Sequence, residues 1–288
     1  MSRIVVHGLE KSYGDARVLE RVNVTAEAGE FLSLVGASGC GKSTFLRILL
    51  GQEQQSGGVV VVGDRPIVPE PTPQRGIVFQ RYSVFPHLTA MQNLLLVEDF
   101  RSGGPFGRVF GARRRSARQQ AETMLERVGL AHARDLYPAS LSGGMQQRLA
   151  IAQTLLGRPQ ILLLDEPFGA LDPGIRVEMH ELLTELWTEH GMTVVMVTHD
   201  IGEAFKLGTR VLVFDKVRHD PQFPSAYGAT ITYDLKLDRK NRASPQDVAR
   251  VAALVGTARP KTADAATASQ GDLEWQETSR NAPIAAPA

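Results

Sequence analysis

Nine residues, Gly36 to Thr44, read GASGCGKST and directly follow the apolar run Phe31-Leu32-Ser33-Leu34-Val35. They fit G-x-x-x-x-G-K-[ST], with Gly36, then Ala37, Ser38, Gly39 and Cys40, then Gly41, Lys42 and Ser43. Glycines let a backbone wrap a phosphate without Cβ clashes. Successive N–H groups, with a helix N-terminus behind them, then face the anion. Lys42 is long enough to reach β- and γ-phosphates, the Ser43 hydroxyl can hold Mg²⁺, and Thr44 can donate toward the α-phosphate. Cys40 is the only cysteine of the chain. It stands at a variable position of the pattern with no histidine near it in sequence, so it reads as a small filler and not as a nucleophile. The loop specifies nucleotide phosphates; alone it does not separate kinases, GTPases and ATPases.

Two further stretches carry chemistry. Ile161-Leu162-Leu163-Leu164-Asp165-Glu166-Pro167 is an apolar strand ending in paired acids. Side chains alternate along a strand, so the two carboxylates point differently. Asp165 suits holding Mg²⁺ through water, and Glu166 suits polarising an attacking water. Ser140-Leu141-Ser142-Gly143-Gly144-Met145-Gln146-Gln147-Arg148 opens a helix, with Ser142 as its N-cap and Met145, Leu149, Ala152 and Leu156 on one apolar face. Two glycines in a first turn cost helix stability. They make sense where an anion must come close to the helix tip.

The elements that must position these residues alternate. Strands are expected at Ile4–His7, Val22–Thr25, Phe31–Val35, Val59–Val62, Gly76–Phe79, Ile161–Leu164, Thr193–Val197 and Arg210–Phe214. Helices are expected at Lys42–Leu50, Thr89–Glu98, Arg115–Val128, Gly144–Leu156, Pro173–His190 and Gly202–Leu207. Pro173 at the first helical position and Gly191 just past the end frame the fifth of these. This order argues for an α/β core with a helical subdomain inserted at about 81–158. The chain has 288 residues, 43% hydrophobic and 22% charged, enough for one large domain and a tail. A formal charge of +1, from 32 basic and 31 acidic groups, gives no reason to expect nucleic acid. One cysteine excludes an internal disulfide and a Cys-rich zinc site, and fits a reducing cytosol. No apolar run approaches the ~18 residues of a membrane span, so any membrane role needs partner chains. Arg101–Arg115, rich in Gly and Arg, reads as an exposed loop. Residues 219–256 read as an extension with a β-hairpin through Ala229–Leu237, and 257–288 as a disordered tail.

With these motifs in hand, the sequence resembles the ATP-binding subunits of ABC transporters over roughly 4–214. LSGGMQQR is similar to that family's signature motif, and Gly36–Thr44 to its Walker A loop. Tyr13 in KSYGD resembles the aromatic that stacks on adenine. Gln80 in IVFQR resembles the Q-loop glutamine, which touches Mg²⁺. Leu164-Asp165-Glu166-Pro167 resembles Walker B with its catalytic glutamate. Gly169-Ala170-Leu171-Asp172 resembles the D-loop, and His199 in VTHD the switch histidine that senses the γ-phosphate. The resemblance implies a P-loop NTPase (RecA-like) core over 1–218, with an N-terminal antiparallel β subdomain and the inserted helical one. It implies ATP and Mg²⁺, and a head-to-tail homodimer in which Ser142, Gly143, Gly144 and Asp172 of each copy complete the other's ATP site. It also implies separate transmembrane permease subunits, a solute-binding protein, and a peripheral place on the cytoplasmic face of the membrane. Phe85-Pro86-His87-Leu88-Thr89 lies where family members contact a coupling helix. Met145 and Gln153 depart from the commonest residues at their positions. DEPFGALDPGIR is most like the nitrate, sulfonate and taurine importer group, although QRYSVFPHLT also resembles sugar and amino-acid importers. An ABC exporter subunit, or a soluble ABC ATPase acting on nucleic acid or ribosomes, is the alternative.

Overall fold

The chain runs β1 (Ile4–Tyr13), β2 (Ala16–Ala26), β3 (Phe31–Gly36), α1 (Lys42–Leu50), β4 (Gly57–Val62), β5 (Arg65–Pro66), β6 (Arg75–Val78) and α2 (Ala90–Ser102). It continues α3 (Gly111–Arg127), α4 (Gly143–Leu156), β7 (Ile161–Asp165), α5 (Pro173–His190), β8 (Thr193–Val197), α6 (Ile201–Leu207), β9 (Arg210–Asp215), β10 (Thr230–Lys236) and α7 (Pro245–Gly256). This is a computed structural model describing residues 2–79, 84–102, 111–218, 220, 222–223, 225–237 and 244–256, all within one compact unit. Gln80, residues 103–110 and residues 257–288 lie outside the described residues.

Two sheets form. The first has the order β2-β1-β4-β5 and is antiparallel. The second has the order β10-β9-β3-β8-β7-β6, parallel from β9 to β6, with β10 antiparallel on its edge. The parallel strands are apolar on both faces because each face meets its own core. Leu32, Leu34, Ile161, Leu163, Val195 and Val197 point into the core shared with α1 and the antiparallel sheet. Their alternates Phe31, Leu162, Leu164, Val194 and Met196 join the core with α4, α5 and the helices before them. Between β6 and β7 the described residues contain helices and no strand.

Several boundaries moved. β1 and β2 run well beyond Ile4–His7 and Val22–Thr25. Their added halves carry polar residues on a solvent face, and register shifts between Val6 and Ser12 break the alternation. Gly111–Arg115 is the first turn of α3, not loop, because Ala112 and three arginines are good helix formers. Residues 230–236 make one strand, paired with β9. α7 was not expected. Its signals were present: Ser244 caps it by accepting from Asp247 N at 3.1 Å, and Val251, Leu254 and Val255 turn one face to the core. Among the described residues no helix is long and apolar enough to cross a membrane.

Candidate active site

Three loops leave the carboxyl ends of β3, β8 and β7, which are consecutive neighbours in the parallel sheet. In open α/β sheets that edge is where ligands bind. The loop after β3 is tightly built. Gly36 has φ 152°, and a Cβ there would lie 2.2 Å from the Phe214 carbonyl oxygen, so only glycine fits. Gly41, the N-cap of α1, has φ 98°. The buried Lys42 donates from Nζ to the carbonyls of Gly36 (2.7 Å) and Ala37 (2.8 Å), inside the loop it belongs to. Ser38 and Gly39 are exposed at its tip. Cys40 is buried with its thiol 3.7 Å from Lys42 Nζ; burial pushes the thiol pKa up, against the pull of the ammonium.

The acids of β7 lie across from this loop. Ser43 donates from Oγ to Asp165 Oδ1 at 3.1 Å. Burial pushes the Asp165 carboxyl above its ordinary range, and the Ser43 hydroxyl holds it back in part. Among the described residues no cluster of three or more His, Cys, Asp and Glu side chains could hold a metal. The hydroxyl–carboxylate pair fits Mg²⁺, which takes one or two protein groups alongside phosphate oxygens and water. Glu166 adopts φ 51°, left-handed for a non-glycine, and its amide donates to the Val197 carbonyl at 2.9 Å. Such strain is concentrated at functional sites. The Glu166 carboxylate lies 3.5 Å from His199 Nδ1, and the His199 side chain is largely exposed.

Tyr13 stands beside α1, within reach of Thr44 and Arg47. Its hydroxyl donates to Glu53, Lys11 Nζ lies 4.6 Å from its ring centre, and 45% of the residue is exposed. Burial and Glu53 raise its hydroxyl pKa, while Thr44 and Arg47 oppose. Ser142 caps α4, accepting from Met145 N at 3.3 Å, and Ser142 and Gly143 are exposed. A Cβ on Gly144 would approach the Ala170 carbonyl at 3.3 Å, so the helix tip abuts the loop 169–172. Asp172 is the exposed N-cap of α5 without a side-chain cap bond. Among the described residues no hydrogen bond joins Ser142, Gly143 or Gly144 to the loop 36–44.

Sequence reasoning missed residues that tie these loops together. Gln147 is buried and donates to the Pro167 carbonyl at 2.8 Å, just beyond the paired acids. Arg176 donates to the Leu171 carbonyl at 3.2 Å and forms an ion pair with Asp200 at 3.6 Å, beside His199. Thr198 donates to Glu203 at 2.8 Å and accepts from Asp200 N at 3.0 Å. Their only sequence signal was polarity next to motifs, which does not separate a solvated side chain from a buried connector.

A phosphate-shaped glycine loop, a hydroxyl–carboxylate pair and a glutamate–histidine pair, all at one edge of a parallel sheet, define a P-loop NTPase. A family model described as ABC transporter matches residues 19–169. The aliphatic sulfonates import ATP-binding protein SsuB 1 of Rhizobium johnstonii is 42% identical over 215 residues, 75% of this chain and 74% of that protein. The bicarbonate transport ATP-binding protein CmpD of Synechocystis is 40% identical over 220 residues, 75% of each chain. Among solved structures, the dimeric ATP-binding cassette MJ0796 in a post-hydrolysis state, bound to ADP and Pi, superposes with a TM-score of 0.68 at 30% identity. That match covers 82% of this chain and 99% of the other. The chain belongs to the ABC transporter family.

Proposed function

We propose that this chain binds and hydrolyses ATP as the motor subunit of an ABC importer, working on separate permease subunits at the cytoplasmic face of a membrane. One observation carries the reading. Asp165 and Glu166, adjacent at the end of β7, divide the labour: one meets Ser43 at 3.1 Å, the other His199 at 3.5 Å. In this reading the loop Gly36–Thr44 wraps the phosphates with backbone N–H groups and the α1 N-terminus, and Lys42 turns its ammonium to the β- and γ-phosphates. Tyr13 stacks on the base. Ser43, Asp165 and Gln80 hold Mg²⁺, which supplies charge neutralisation on the phosphates. Glu166 polarises the attacking water, and His199 contacts the γ-phosphate and orients Glu166. Phosphoryl transfer of this kind needs positioning and charge stabilisation and forms no covalent bond to the protein.

The tip Ser142–Gly143–Gly144, exposed at Ser142 and Gly143, and Asp172 complete the site of a second copy, so ATP closes a head-to-tail dimer. The superposing cassette MJ0796 is dimeric, which supports pairing of two copies. Residues 81–158 form the subdomain that meets the permease through Phe85–Thr89, and a solute-binding protein delivers the solute outside. The two relatives are named for sulfonates and bicarbonate, both small oxyanions, and we carry that solute class to this importer. The test is reconstitution of the chain with its permease in vesicles holding ATP, with the solute-binding protein added outside. ATP-dependent uptake of a labelled alkyl sulfonate or bicarbonate is expected. Hydrolysis that stays absent with the permease present ends the reading.

A further inference from the structure

β2 is an edge strand of the antiparallel sheet, and part of its open edge is occupied by the stretch that leads into β10. Arg17 N donates to the Ser225 carbonyl, Ala229 N to Val18, and Glu20 N to Ala229, each at 2.9 Å. Leu19 and Ala229 thereby form a parallel bridge. Gly228 lies so close that a Cβ would sit 2.6 Å from the Leu19 carbonyl carbon and 2.8 Å from Glu20 N. The nearly buried Glu20 accepts from Arg218 and, at 3.3 Å, from Gly228 N. The Arg218 guanidinium lies 4.3 Å from the Tyr227 ring centre.

The same two β2 residues touch the phosphate loop. A Cβ on Gly41 would lie 2.8 Å from Leu19 Cδ2, 3.0 Å from Val18 Cγ1 and 3.2 Å from the Val18 carbonyl oxygen. Cys40, Leu19, Phe214 and Ala229 share one apolar core. Val18 and Leu19 are therefore held between the chain at 225–229 on one side and the residue preceding Lys42 on the other.

We propose that residues 225–229 are a positioning clamp for the nucleotide site. They press Val18 and Leu19 against Gly41 and so keep the phosphate loop and the α1 N-terminus in the shape that receives phosphates. This rests on the reading of Gly36–Thr44 as the ATP site. Glu166 and His199 stand just after β7 and β8, and neither is among the residues that touch the seam, so the clamp acts on binding and not on the hydrolytic step.

The test uses the full chain with Gly228→Val, whose side chain cannot fit against β2, and Glu20→Gln, which keeps shape and weakens the seam. Mant-ATP titration is expected to show binding by the unsubstituted protein and about tenfold weaker binding by Gly228→Val. KM for ATP should rise in step while kcat at saturating ATP stays within about twofold. Glu20→Gln should shift the same way by less, and it carries the test alone if Gly228→Val does not fold. In both variants a maleimide should label Cys40, the single thiol of the chain, faster without nucleotide. Unchanged mant-ATP affinity alongside a lowered Tm would make the seam purely structural and overturn the clamp alone. An unsubstituted protein that does not bind mant-ATP overturns the nucleotide site, and the clamp with it.

Discussion

Glu166 holds a left-handed backbone at φ 51° and offers a carboxylate 3.5 Å from His199. Glu166→Gln keeps the size and the backbone demand and removes the base. We expect hydrolysis to fall by a factor on the order of 10²–10⁴, with mant-ATP affinity retained, read by phosphate release against titration. Lys42→Ala should act on binding instead, because the ammonium that reaches phosphate also ties the carbonyls of Gly36 and Ala37. A tight mant-ATP complex in Lys42→Ala would contradict this. Cys40 offers a pH test. Burial raises its thiol pKa, so the thiolate fraction at neutral pH is smaller than for an exposed cysteine. Alkylation should therefore be slow at neutral pH, accelerate as pH rises past the usual thiol range, and slow again when ATP is added.

At the scale of elements, the site depends on how strand ends meet turns. Gly36 closes β3 with 2.2 Å between its virtual Cβ and the Phe214 carbonyl oxygen. Gly36→Ala must push β9 and the phosphate loop apart, a clash of the overpacking kind that costs roughly 1–3 kcal/mol. Urea unfolding should show that loss together with weaker nucleotide binding. The start of α2 is built with similar economy. Thr89 and Gln92 cap each other's amides, at 2.9 and 3.3 Å. The fully buried Asn93 accepts from Phe85 N and donates to the carbonyls of Phe85, Leu88 and Thr89. Asn93→Ala removes the partner of Phe85 N and of the Leu88 carbonyl, while the Phe85 and Thr89 carbonyls keep the amides of Leu88 and of residue 93; the cost is about 1–3 kcal/mol per buried group left unpaired. In the permease-facing reading of this turn, the variant should also lose stimulation by the permease while the isolated subunit still binds ATP.

Across the chain as a whole, the C-terminal extension and the pairing of two copies can each be tested. α7 delivers Val251, fully buried, to the core formed with Val35, Ala204, Val211 and Val213. A chain ending before Pro245 should lose Tm and ATP binding, because Val35 immediately precedes the phosphate loop. A chain ending after Gly256 should keep both, measured by thermal unfolding and titration. The head-to-tail pairing predicts that Glu166→Gln doubles its mass in light scattering on adding ATP. Adding Ser142→Tyr, a bulky group at the exposed α4 tip, should abolish the doubling.

The motifs of this protein are legible in its sequence wherever they are local. A glycine–lysine–serine spacing, two acids closing an apolar strand and a Ser-Gly-Gly helix start are written in contiguous residues. Conformational freedom, alternation and capping act over a few residues, so they are legible there. Both ends of α5 are legible because Pro173 is a local start signal and Gly191 a local stop signal. Tertiary structure alone decided what depends on residues far apart. It set Asp165 within reach of Ser43, made the buried Gln147 and the half-buried Arg176 connectors between loops, extended β1 and β2 past their apolar halves, and laid Gly228 along β2. Polar side chains on a solvent face and in a buried seam look alike in a sequence. Only the packing of distant strands fixes which of them water still reaches.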